Sequence, residues 1–217
     1  MKLKAPELWF SFLTAICLSS NSLAASMADI TGTYSVRFEP VSSAGKLEGC
    51  SLIYTAVMLD YVYQNGAPVM VGGNITYHQN GNQPGLALKL GLSNALSSDQ
   101  RVEPPHYAFI RTKNGTTAGA QFVTYDSDIR GYRVFVYQLT EKSTNVIGDL
   151  LGGLNPTIGF NRTPTGVDAT FPLDLSVEDV AASKNGQPQR KHSNAATEGF
   201  ANCFAELASS LQTKKRQ

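Results

Sequence analysis

Leu86, Leu88, Leu90 and Leu92 occupy every second position of one stretch, with Ala87, Lys89 and Gly91 between them. Side chains alternate between the two faces of a strand, so this spacing predicts a half-buried β-strand. Shorter versions of the pattern recur along the chain, separated by turn residues. Thr31 to Phe38 predicts a first strand, ended by Pro40 and a Ser42–Gly45 loop. Leu52 to Tyr63 is apolar or aromatic nearly throughout, with Asp60 its one charge, and predicts a central strand covered on both faces. Asn65-Gly66 then favours the positive φ angles of a tight hairpin. Val69 to His78 is the returning strand, in which Gly72-Gly73 marks a bulge or a close backbone approach.

After a polar stretch, Ser93–Glu103, the alternation resumes. His106 to Thr112 turns at Asn114-Gly115 into Gln121–Tyr125, and a turn through Asp126, Ser127, Asp128 and Gly131 leads into Tyr132–Tyr137. Val146, Ile147, Leu150, Leu151 and Leu154 fall instead at helical spacing, with Ser143 or Thr144 as N-cap and Gly152-Gly153 as stop signal. Thr157–Arg162 and Val167–Ser176 predict a last hairpin across Pro164-Thr165-Gly166, with Val167, Ala169, Phe171, Leu173 and Leu175 on one face. Ser183–His192 reads as a mobile polar linker. A final amphipathic helix runs from about Asn194 to Gln212, its stripe formed by Phe200, Cys203, Phe204, Leu207 and Leu211. The fold class that follows is mainly β, of the α+β kind: an antiparallel sandwich or partly closed barrel of about eight strands, with a C-terminal helix docked on it.

The N-terminus is patterned differently. Lys2 and Lys4 precede the apolar run Leu8–Leu18, and Ser22-Leu23-Ala24 offers small residues where a signal peptidase reads. A basic start, a short apolar core and small residues make a secretory signal peptide over residues 1–24. A transmembrane anchor would need about 20 apolar residues. Residues 25–217 then form a single β-rich domain carrying the helix at 194–212, with no transmembrane span, in a periplasmic or secreted location. Cys17 leaves with the signal peptide. Cys50 and Cys203 remain, and two thiols in an oxidising compartment form one disulfide. That bridge staples the helix onto the sheet near the second strand.

Charge narrows the partners. The chain has 18 Lys and Arg against 17 Asp and Glu, and losing Lys2, Lys4 and Glu7 leaves the two signs equal. A neutral chain has no electrostatic claim on nucleic acid.

Chemistry-bearing motifs are sparse. His78, His106 and His192 show no metal-ligand spacing, so no metal or cofactor is expected. No GxSxG elbow follows the signal peptide. Asp126-Ser127-Asp128 resembles the opening of a calcium loop, but Tyr137 stands where the closing Glu belongs. The aromatics are denser. Tyrosine joins a large contact area to a polar tip, and Tyr61, Tyr63, Tyr77, Tyr132 and Tyr137 flank turns and alternate with polar residues, which makes them the candidate binding face. The expected function is an exported, non-enzymatic binding or accessory protein that engages an envelope partner protein or a small apolar ligand. The alternative is a hydrolase-like enzyme assembled around His106, with Asp126 or Asp128 as its carboxylate.

Overall fold

The computed structural model describes residues 30–80, 83–96, 101–182 and 188–214, so the predicted signal peptide lies outside the described residues. Eleven strands and two helices follow one another there. Strands β1 (Gly32–Ser43), β2 (Lys46–Asp60), β3 (Ala67–Asn80) and β4 (Gln83–Asn94) form an antiparallel meander. β5 (Tyr107–Arg111) leaves it for a second sheet, and β6 (Phe122–Asp126) and β7 (Arg133–Tyr137) return to it. The large sheet therefore has the order β1-β2-β3-β4-β7-β6. Helix α1 (Glu141–Leu151) leads to β8 (Thr157–Asn161) and β9 (Ala169–Pro172), which complete a three-stranded sheet in the order β5-β8-β9. β10 (Val177–Ala182) and β11 (Pro188–His192) make a separate hairpin, and α2 (Ala195–Lys214) closes the chain.

One continuous core lies between the sheets. The large sheet contributes Leu52, Tyr54, Val71, Ile75, Leu86, Leu88, Leu90 and Phe135, and the small one Ile110, Ile158, Phe160 and Phe171. Helix α1 adds Val146, Ile147 and Leu150, and α2 adds Phe200, Cys203 and Leu207. The architecture is mostly antiparallel β with a docked C-terminal helix, and the described strands form no closed barrel. Cys50 and Cys203 are disulfide-bonded across a Cα separation of 5.9 Å, joining α2 to β2. Closing a loop of 153 residues removes chain entropy from the unfolded state worth about 5 kcal/mol in the simplest model.

Several expectations are corrected by local geometry. Pro40 does not end β1, which runs on to Ser43, because β1 is an edge strand and tolerates a missing N–H. Ala44 and Gly45, at φ 49° and 76°, form a tight turn, so β2 begins at Lys46. β2 ends at Asp60, and Tyr61–Tyr63 sit in the loop beyond it. Gly72-Gly73 is a close approach with no shift of register: a Cβ at Gly73 would stand 2.0 Å from the Lys89 carbonyl oxygen. Asn114-Gly115 does reverse the chain, but β5 pairs with β8 and β6 with β7, so the two strands belong to different sheets. The N-cap of α1 is Thr140, with Ser143 at N3 closing a capping box. Val167 is 72% exposed, while Ala169, Phe171, Leu173 and Leu175 are buried as expected. Residues 188–192 of the expected linker form β11.

Candidate functional site

Alternation decides where each candidate tyrosine goes. Tyr77 and Tyr137 share the inner parity of β3 and β7 and lie in the core. The Tyr77 ring packs against Phe204 at 4.8 Å, and the Tyr137 hydroxyl donates to the Ala108 carbonyl at 2.6 Å. Burial pushes the Tyr137 phenol well above its ordinary pKa. Tyr77 is spent on the packing of α2, whereas Tyr137, though buried, borders the groove described below. Tyr61 is 73% exposed in the β2–β3 loop. Tyr63 in the same loop donates to the Val167 carbonyl at 2.5 Å. Fully buried Asp60 shapes this loop, its Oδ1 accepting from the Val62 and Tyr63 amides at 3.1 and 2.8 Å. Tyr132 lies apart from both, on the outer face of the large sheet. The five tyrosines therefore occupy three separate places rather than one face.

A groove of about 980 Å³ lies where β3, β4, β7 and β6 come together, lined among others by His78, Gly85, Phe122, Val123, Tyr125 and Val136. Parity explains its composition. The inner face of these strands is spent on Leu86, Leu88, Phe135 and Tyr137, leaving Val123, Tyr125 and Val136 on the outer one. Phe122, Val123 and Tyr125 are 38%, 53% and 58% exposed, the densest run of exposed large apolar side chains among the described residues. On the inner flank the Phe122 ring meets Tyr107, Phe135 and Tyr137 at 5.3 to 6.1 Å. Patches of this kind on a soluble domain mark interaction sites more often than isolated exposed leucines do.

His78 supplies the polar element. It stands opposite Gly85 in the β3–β4 register, and a Cβ at Gly85 would come within 2.5 Å of its Nε2. The glycine makes room for the ring. Nε2 is screened from solvent and has no hydrogen-bond partner. Burial lowers the His78 pKa below the ordinary imidazole value, so the ring is neutral at pH 7. A buried, unpaired ring nitrogen costs folding free energy.

The carboxylates of the expected alternative centre are engaged elsewhere. His106 is exposed and is tied by its backbone N–H to the Asn161 carbonyl at 2.9 Å. Asp126 pairs with Arg133 at 3.6 Å, while Asp128 accepts from Ser127 Oγ and Lys89 Nζ at 2.8 and 3.2 Å. A different Ser-His-Asp set does come together. Ser176 Oγ donates to Asp174 Oδ1 at 2.7 Å and lies 2.8 Å from His192 Nδ1. A hydroxyl has one hydrogen, and here it goes to the carboxylate, so Nδ1 is the donor to Ser176. A serine nucleophile needs that hydrogen aimed at the imidazole. The order found, His to Ser to Asp, does not provide it. Burial raises the Asp174 pKa, but hydrogen bonds from the Ser176 hydroxyl and amide and the charge of His192 outweigh it, and the net shift is downward. This cluster edges a polar recess of about 400 Å³ that includes Asn155, Thr197 and Glu198. No group of three or more metal-ligating side chains occurs among the described residues.

Comparison with protein families, curated proteins and solved structures finds no match. No helix among the described residues is long and apolar enough to cross a membrane.

The groove was only partly legible in the sequence. Tyr125 lies among the strand aromatics, whereas the candidate face is drawn from the tyrosines that flank turns and alternate with polar residues. His78 stood out only as a strand end. The signal that finds them is the pairing of β6 with β7, which puts Val123 and Tyr125 beside Val136 and Val134, on the face away from the core-facing Phe135 and Tyr137.

Proposed function

We propose that this chain is an exported, non-enzymatic binding module, periplasmic or secreted, whose groove beside β6 and β7 takes a small apolar ligand carrying one hydrogen-bonding group. The observation that carries the reading is the groove itself: apolar walls at Phe122, Val123, Tyr125 and Val136, with the unpartnered Nε2 of His78 among the lining residues. Its volume falls within the range of small-molecule sites, about 300–1,000 Å³, and such sites are apolar with a few placed polar groups. The Cys50–Cys203 disulfide is compatible with export.

The test is a fluorescence titration of the disulfide-intact protein, without residues 1–24, with a fluorescent fatty-acid analogue. Saturable binding is expected, and Val136→Lys, which places a charge on the groove floor away from the sheet edge, weakens it by about tenfold or more, or 1.4 kcal/mol. The melting temperature of that variant stays close to the parent's. Absence of saturable binding, or equal binding by the folded variant, contradicts the proposal.

A further inference from the structure

The two edges of the large sheet are finished differently. Along β1, Arg190 donates to the carbonyls of Thr31 and Thr33, the latter at 2.9 Å, and the Asp174 amide donates to Thr33 Oγ1 at 2.8 Å. β10 and α2 also pack against β1. Among the described residues β6 has no such cover. β7 is the only strand hydrogen-bonded to it among the described residues, and all five of its residues are exposed. Natural proteins blunt an edge with proline, lysine, a bulge or a covering element. β6 contains neither of those residues, its register with β7 is unbroken, and its one charge, Asp126, is answered by Arg133.

The direction of its backbone groups follows from the neighbouring bonds. The Gln138 amide donates to the Gln121 carbonyl at 2.9 Å, and the Ser127 amide to the Tyr132 carbonyl at 3.1 Å. Hydrogen-bonded pairs alternate along an antiparallel ladder. Val123 and Tyr125 therefore turn their amides and carbonyls toward β7, and Phe122, Thr124 and Asp126 turn theirs outward. These three positions are spaced evenly about Thr124. A copy of the same edge, rotated by a two-fold axis through Thr124, presents matching groups: Phe122 meets Asp126, Thr124 meets Thr124, and about six N–H···O bonds can form. On the outer face Val123 then stands beside the second copy's Tyr125, an apolar pair of the kind that stabilises sheets.

We propose that β6 pairs antiparallel with β6 of a second copy of this chain, in register about Thr124. The pairing joins two six-stranded sheets into one, and each copy adds its Val123 and Tyr125 to the rim of the other's groove. A five-residue edge falls short of the roughly 1,600 Å² of a standard interface, so the dimer is weak and concentration-dependent. It does not depend on the groove holding a ligand.

Sedimentation equilibrium on the disulfide-intact protein tests the pairing. The parent passes from monomer to dimer as its concentration rises. Thr124→Lys and Thr124→Glu each put like charges directly opposite one another across the two-fold axis, and each raises the dimer dissociation constant by about fivefold or more. Mixed in equal amounts they attract, and native mass spectrometry finds the heterodimer in preference to either homodimer. Thr124→Pro removes an outward N–H and no bond to β7, so it melts like the parent and stays monomeric. A parent that is monomeric up to its solubility limit overturns the proposal. So does a folded Thr124→Pro chain that dimerises like the parent, or a charge-swapped mixture with no preference for the heterodimer.

Discussion

Tyr132 and Tyr137 are five residues apart in one hairpin and end on opposite sides of the same sheet. Tyr132 shares the outer parity of Val134 and Val136. Its hydroxyl reaches to 2.8 Å of where a Cβ of Gly72 would stand, and Lys89 Nζ lies 5.6 Å from its ring centroid. Tyr137 shares the inner parity of Phe135 and is buried. Counting along the strand reveals that they differ; which parity faces the core depends on the pairing of Leu86 with Tyr137 and of Leu88 with Phe135. That pairing is non-local, so the aromatic density of this region was legible in the sequence and its division between core and surface was not. His78 illustrates the same limit, since its burial depends on Gly85 lying opposite. It also gives a pH prediction. With a folded-state pKa held below the ordinary 6.5, the unfolded chain takes up a proton that the folded chain does not, so stability is fully present above about pH 6.5 and falls as the pH drops below it. Urea midpoints measured between pH 7.5 and about 5 should fall for the parent and fall less steeply for His78→Gln. Parallel slopes in the two proteins would show that His78 is not shielded.

Elements with a purely local signature lie where the sequence places them, and β11, whose order depends on a partner strand, carries no such signature. The leucine alternation of β4, the helical spacing of α1 and the apolar stripe of α2 all encode their own period, and each forms near its expected place. β11 is the contrary case. Pro188–His192 is polar and lacks any alternation that marks a strand, and it is ordered by pairing with β10 and by Arg190 reaching the β1 carbonyls. Asn114-Gly115 gave a true turn but a misleading topology: Asp149 of α1 accepts from the Asn114 amide and side chain at 2.8 and 2.7 Å, anchoring the turn on the helix while the chain crosses to the other sheet. Docking of α2 rests on Phe200, Leu207 and the Cys50–Cys203 bridge. Replacing both cysteines by alanine should lower the unfolding free energy by about 2–5 kcal/mol, read from urea curves of parent and variant under non-reducing conditions. A change below about 1 kcal/mol would mean that packing alone holds the helix.

At the scale of the whole molecule, the two edges of the large sheet differ. The β1 side is closed by α2, the β10–β11 hairpin and Arg190, and the same side carries the disulfide. The β6 side is open, apolar and lined by a groove, and the one buried imidazole nitrogen without a partner among the described residues sits there. The polar recess at Asp174, Ser176 and Glu198 is the rival location for a ligand, and its hydrogen bonds are largely satisfied internally. The two locations are well separated in sequence and give distinct spectroscopic signatures. The most direct test is a ¹⁵N–¹H correlation spectrum of the disulfide-intact protein titrated with oleate. Saturable shifts are expected at His78, Gly85, Val123, Tyr125 and Val136, with Asp174, Ser176 and Glu198 undisturbed. Shifts gathered around those last three, or no saturable shift at all, would contradict binding in the groove.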